Sequence, residues 1–182
     1  MTTLRNRLSD QQEEIYELYE LQDRLEQYTR KNSLEIYEVP ESTYESPEEV
    51  VMKIAEALEV PVQPNDIEIV HKLKRKGNKP INVKFLSHKV KSKLYKSRAK
   101  LRNTSVSNLF PTSTAAIRVA SDRIFLNENL TSYRRRTINK ANEMRRDGEL
   151  ISAWSLESKI YVKTSPEGRP IKIDELEDLD YL

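Results

Sequence analysis

Cysteine is absent from the 182 residues, and there are only three glycines, two histidines and one tryptophan. Without cysteine there are no disulfides, no thiolate metal ligands and no cysteine nucleophile, which fits a reducing compartment. Gly77, Gly148 and Gly168 are too few and too scattered to build a phosphate-cradling glycine loop. His71 and His88 have no clustered carboxylates near them in sequence. His71 sits on the apolar parity of its segment and reads as a core or edge histidine. No apolar run approaches the roughly 20 residues that span a bilayer, and no N-terminal apolar stretch reads as a secretory signal. These absences predict a chain with no catalytic residue, no metal site, no cofactor and no membrane insertion, placed in the cytoplasm and also the nucleus.

What is present is charge. Lys, Arg, Asp and Glu make up 33% of the chain, and the net charge of +2 conceals a segregation. Residues 1–45 carry 5 basic and 11 acidic side chains, and residues 46–70 carry 1 and 6. Residues 71–122 then carry 14 basic and 1 acidic, residues 123–169 carry 10 and 6, and residues 170–182 carry 1 and 5. A block of net +13 between acidic neighbours is the footprint of a polyanion binder.

Order comes from periodicity. Leu4, Leu8, Gln11, Ile15, Leu18, Gln22 and Leu25 recur in alternating steps of four and three, the a/d spacing of a coiled coil of about four heptads. This seam predicts oligomerisation as trimer or dimer, with Gln11 and Gln22 weakening it. The alternative is a single amphipathic helix packed on the domain that follows. Acidic residues fill the helix's outer face (Glu13, Glu14, Glu17 and Glu20).

Leu34, Ile36 and Val39 then alternate as a strand. Ser46-Pro47-Glu48-Glu49 is a helix start, followed by the apolar stripe Val50, Val51, Ile54, Ala55 and Leu58. Ile67, Ile69, His71 and Leu73 alternate as a second strand, and Ile81, Val83 and Phe85 as a third. Ser87 caps a second helix with the stripe Val90, Leu94, Ser97 and Leu101, and Ile124-Phe125-Leu126 reads as a fourth strand. The order β-α-β-β-α-β predicts two helices on one face of a four-stranded antiparallel sheet, the other face being open. Beyond it, Thr131 or Ser132 caps a helix that stops at Gly148. Residues 150–154 and 159–163 form a hairpin, residues 170–173 extend, and Asp174 caps a short acidic helix. The expected class is α+β: a coiled-coil helix (1–32), a sheet domain (33–127) and a small α+β C-terminal domain (128–182).

Candidate contacts follow from the cations. Lys72, Lys74, Arg75, Lys76 and Lys79 surround the second turn. Lys84 points to the open sheet face. Lys89, Lys91, Lys93, Lys96, Arg98, Lys100 and Arg102 coat the second helix, about half of them only solubilising it. Arg134, Arg135, Arg136 and Lys140 decorate the third. Cations at this density suit phosphate binding, where affinity comes from counterion release. Aromatic side chains lie among them: Tyr37 and Phe125 on the sheet, and Tyr133, Trp154 and Tyr161 beyond. Such rings hold single strands by stacking.

The run Glu26-Gln27-Tyr28-Thr29-Arg30-Lys31-Asn32-Ser33-Leu34-Glu35-Ile36-Tyr37 with Pro40-Glu41 resembles the coil-to-domain junction of the first-open-reading-frame proteins of LINE-type retrotransposons. Ile67 to Leu73, Pro80 to Phe85 and Lys89 to Arg102 continue the likeness. Ile124 to Trp154 and Lys159-Ile160-Tyr161-Val162 are similar to the C-terminal domain of insect relatives and to the baculoviral few-polyhedra family. The resemblance implies a trimeric coil, a non-standard RNA-recognition-motif-like (RRM-like) domain and a C-terminal domain. Together these clamp single-stranded RNA or DNA, with nucleic-acid chaperone activity. By position it implicates Arg30, Lys31, Lys72 to Lys79, Lys84 and Arg134 to Arg136. It departs from a standard recognition motif at Glu35, Pro80 and Asn82, which stand where bases would stack. The reading is a non-enzymatic, sequence-tolerant binder of single-stranded nucleic acid. Its rival is a protein-interaction or assembly module of the few-polyhedra kind.

Overall fold

The computed structural model describes residues 2–74, 79–111 and 123–182. Arg75 and Lys76, two of the candidate cations, lie outside them. The protein is mixed α+β, with a long N-terminal helix and two antiparallel sheets. It divides into two compact units. Lys31–Asn129 is one, and the N-terminal helix together with Leu130–Leu182 is the other. The helix expected to stand as residues 1–32 therefore shares a unit with the C-terminal residues.

In Lys31–Asn129, the strands are β1 (Ser33–Tyr37), β2 (Ile67–Lys72), β3 (Ile81–Phe85) and β4 (Phe125–Glu128), in the order β2-β3-β1-β4. Among the described residues three α-helices accompany them: α2 (Pro47–Ala57), α3 (His88–Ser97) and the short α4 (Val106–Leu109). The start of α2 forms as its residues require. Ser46 Oγ accepts the Glu49 N–H at 3.2 Å, Pro47 occupies the first turn, and Glu49 Oε2 accepts the Glu45 N–H at 3.0 Å. Such a cap is worth about 1 kcal/mol. Val50, Val51, Ile54, Ala55 and Leu58 then enter one core with Leu34, Ile36, Ile81, Val83, Phe85, Leu94 and Leu126. Apart from Ala55, each such side chain, fully buried, contributes on the order of 1.5–3 kcal/mol.

One expectation holds in part and one fails. His71 lies on β2, an edge strand, as the edge reading has it, but not on the apolar parity: it is exposed, because the β2–β3 pairing shifts register between Ile67 and Ile69. An extra residue in one strand reverses the parity beyond it. Val70 therefore faces Val83 and packs on the core, while Ile69 is 52% exposed. Lys91, expected among the surface lysines of its helix, is 1% exposed. Its Nζ donates to Glu128 Oε1 at 2.5 Å, and both side chains are buried. This pair ties α3 to β4 through the core-facing side of the sheet, since Glu128 stands opposite Leu34.

The other unit holds α1 (Thr2–Arg30), α5 (Ser132–Arg146) and the three-stranded sheet β5 (Ser152–Leu156), β6 (Lys159–Lys163) and β7 (Ile171–Ile173). Thr131 caps α5 by accepting the Arg134 N–H at 3.4 Å. The helix ends at Arg146, and Asp147 leads to Gly148, whose φ of 87° is the left-handed conformation that glycine adopts without strain. α5 packs on β5 and β6 around Ala141, Leu150, Ile160, Val162, Ile173 and Leu179. After β7 comes a 3-10 turn, Glu177–Tyr181, that no side chain caps: Asp174 pairs with Lys172 instead, and Asp178 accepts the N–H groups of Asp174 and Glu175.

The β5–β6 turn is made by Glu157 and Ser158, both at positive φ (51° and 62°). Two-residue hairpin turns of this kind favour Asn-Gly, because side chains strain the left-handed region. Here the turn is held from outside. Gln27 Nε2 donates to Ser158 Oγ at 3.1 Å, and Arg134 Nη1 donates to the Ser158 carbonyl at 2.8 Å. Among the described residues no helix is long and apolar enough to cross a membrane.

Candidate nucleic-acid interface

α1 presents two faces with different fates. The seam residues Leu4, Leu8, Ile15, Leu18 and Leu25 are 52–73% exposed, and Gln11 and Gln22 are exposed with them. About a third of a turn away, Tyr16, Asp23 and Gln27 share another face. Tyr16 Oη donates to Glu175, and Asp23 accepts from the Thr131 hydroxyl and from Arg134 Nε, the latter at 2.8 Å. Gln27 Oε1 accepts the Thr131 N–H at 2.9 Å. The helix thus docks on the C-terminal residues through polar contacts and leaves its apolar stripe in solvent.

This docking divides the three arginines. Arg134 is committed to Asp23 and to the Ser158 carbonyl, with 22% of its side chain exposed. Arg135 Nη2 donates to the Leu130 carbonyl at 3.3 Å. Arg136 is exposed, with its guanidinium 5.9 Å from the centre of the Tyr133 ring. Tyr133 Oη accepts the Leu176 N–H at 3.2 Å, and burial raises its pKa despite that bond. α1 and the C-terminal residues enclose a cleft of about 870 Å³ whose lining includes Tyr16, Tyr133, Arg136, Lys159 and Lys172. Glu20, Asp23, Glu26 and Glu175 also line it, so its charge is balanced. Lys140 is paired with Asp180 at 2.5 Å, and Arg30 with Glu26 at 2.6 Å. Lys31 follows at the boundary between the units.

Within Lys31–Asn129 the outer sheet face differs from the open platform that the alternation suggests. Ser33, Glu35 and Asn82 are buried on it. Their polar neighbours interlock: Tyr37 Oη donates to Glu35, Asn129 Nδ2 donates to Asn82 Oδ1 at 2.7 Å, and Lys84 pairs with Glu68 at 3.0 Å. Exposure survives at the sheet edges, at Ile69 and His71 on β2 and at Phe125 and Asn127 on β4. Phe125 stands opposite Tyr37 in register.

The cations of the basic block sort by partner. Lys72 and Lys79 both approach Glu41, at 3.7 and 3.3 Å, and Lys72 also lies 5.0 Å from the Tyr44 ring centre. Arg98 stacks on Tyr95 at 3.8 Å. Lys74 and Arg102 are exposed. On α3, Lys89, Lys93 and Lys96 are all exposed at spacings of four and three, which places them on one face of the helix. Lys100, in the 3-10 segment after α3, pairs with Glu59. No carboxylate occurs in α3 itself. Spacing alone could have singled out this stripe; the buried Lys91 in its midst concealed it.

The chain matches no protein-family model and no curated protein. Among the described residues no group of three or more His, Asp or Glu side chains could hold a metal ion. What the arrangement offers chemically is a lysine-faced helix, an exposed apolar seam and partly exposed aromatic rings.

Proposed function

We propose that the protein is a non-enzymatic, self-associating binder of single-stranded RNA or DNA with little base preference. On this reading it is a chaperone-like relative of LINE-type first-open-reading-frame proteins. The four-stranded sheet with α2 and α3 is read as the RRM-like domain. The observation that carries the proposal is the α3 stripe. Lys89, Lys93 and Lys96 stand on one exposed helix face with no carboxylate in the helix to neutralise them. Three adjacent cations neutralise phosphates without reading bases. The exposed seam supports self-association, and linked copies raise the effective concentration at each further site.

The test is a salt titration of the full chain on a labelled single-stranded oligonucleotide. K89A/K93A/K96A should lower affinity and reduce the slope of log K against log salt by about two, at roughly 0.7 per phosphate contact. An unchanged slope removes the stripe from the interface, and no binding at low salt favours a protein-interaction module. For self-association, I15E/L18E in the full chain should lower the mass seen by light scattering. This pair is better than truncation at Ser33, which would also strip Asp23 and Gln27 from Thr131 and Arg134.

A further inference from the structure

Ile160, Val162 and Ile173 alternate into the C-terminal core, which fixes what the opposite face of that sheet carries. On β6 it carries Lys159, Tyr161 and Lys163. Register places Trp154 of β5 directly opposite Tyr161, and Lys172 of β7 opposite Tyr161 on its other side. The Trp154 and Tyr161 rings stack, with centroids 5.9 Å apart and planes inclined by 20°. Both rings remain partly exposed. Three lysines thus frame an aromatic pair on one sheet face.

The commitments of those lysines are modest. Lys163 Nζ donates to the Pro166 carbonyl at 3.3 Å, and Lys172 pairs with Asp174. Lys159 is exposed and has no ion pair among the described residues. A cross-strand aromatic pair by itself stabilises a hairpin. That role does not call for cations at both neighbouring outward positions of β6 and at the facing position of β7. Flat rings bordered by ammonium groups are complementary to an unpaired base and its flanking phosphates.

We infer that this face is a base-stacking platform. Trp154 and Tyr161 hold bases of a single strand, and Lys159, Lys163 and Lys172 hold its phosphates. The inference rests on the nucleic-acid reading above and assigns stacking to the C-terminal sheet, where Glu35 and Asn82 exclude it from the four-stranded one.

The chain contains one tryptophan, so its fluorescence reports this site alone. The full chain is titrated with a labelled oligo(dT), following label anisotropy and tryptophan emission in parallel, and separately with heparin, a polyanion without bases. Oligo(dT) should quench the emission, and heparin should bind and leave it unchanged. W154L should weaken oligo(dT) binding by about tenfold with an unaltered salt slope, whereas K159A/K163A should lower the slope by about one. Circular dichroism of W154L confirms folding, and the quench in the unmodified chain needs no variant. Anisotropy that reports binding without quenching overturns the platform and leaves the proposed function standing. Equal quenching by heparin also overturns it. Absence of any binding at low salt overturns both.

Discussion

The four-stranded sheet of Lys31–Asn129 and the three-stranded sheet of the C-terminal residues obey the same alternation, one face to a core and one face away from it. They differ in where they put polar and charged groups. In the first, Glu128 points into the core and meets Lys91, and Glu35 and Asn82 are buried on the opposite face. In the second, the core face is apolar, and Lys159, Lys163 and Lys172 point outward around two stacked rings. Charge that is buried and paired serves folding, since its alternative partner is only water. Charge left outward beside aromatic surface retains the capacity to meet a ligand. The comparison separates the two uses of a cation that composition alone merges.

The largest effect should come from breaking the inward charge. Removing one partner of a buried ion pair leaves the other uncompensated, at a cost of about 3–5 kcal/mol. K91A or E128A should lower unfolding stability by that order in urea denaturation. K91M/E128L, which replaces both charges with apolar volume, should recover most of it. Failure of the double variant to recover would mean that the pair does more than offset its own desolvation. The matching change in the other sheet, K159A/K163A, should leave stability within about 0.5 kcal/mol, because Lys159 is exposed and Lys163, half-buried, gives up only a solvent-exposed bond to the Pro166 carbonyl.

Much of this was readable from the residues. Ser46-Pro47-Glu49 marks the start of α2 because its capping chemistry is local. The hairpin of β5 and β6 follows from alternation on either side of a short turn. The misses have a shared physical origin in partners distant along the chain. Lys91 looks like its exposed neighbours until Glu128, 37 residues away, folds beneath it. Arg134 looks like a phosphate contact until Asp23, 111 residues earlier, takes its guanidinium. His71 is at the sheet edge but faces away from the core, because Ile67 and Ile69 satisfy strict alternation and a bulge leaves no mark on that pattern. The turn at Glu157-Ser158 lacks glycine, so its left-handed geometry depends on contacts from Gln27 and Arg134 that local chemistry does not disclose.

That last contact set gives the smaller effects, and they contrast the two units by pH. R134A removes the Asp23 pair and the bond to the strained turn, and should cost about 2 kcal/mol, since hydrogen bonds of charged groups are worth roughly 1.5–3 kcal/mol. R134K keeps the charge and loses the fork, and should recover only part of this. Hydrogen exchange at 155–160 should quicken in R134A. A weaker link is Tyr16, whose pKa is raised, first by its hydrogen bond to Glu175 and further by the negative charge of that carboxylate. A phenol with a raised folded pKa contributes stability that is whole below its unfolded value near 10 and is lost as pH rises above it. Docking of α1 should therefore loosen on the alkaline side, and Y16F should remove that dependence. In Lys31–Asn129 the sign is opposite. The pKa of Glu49 is lowered, first by the Glu45 N–H and then by Lys53, so its contribution is present above about 4.3 and fades as pH falls through the lower folded value. E49Q should flatten that acid limb by about a few tenths of a kcal/mol, as befits a solvent-screened pair. If both units instead loosen together on the alkaline side, the Tyr16 contact does not govern the docking of α1.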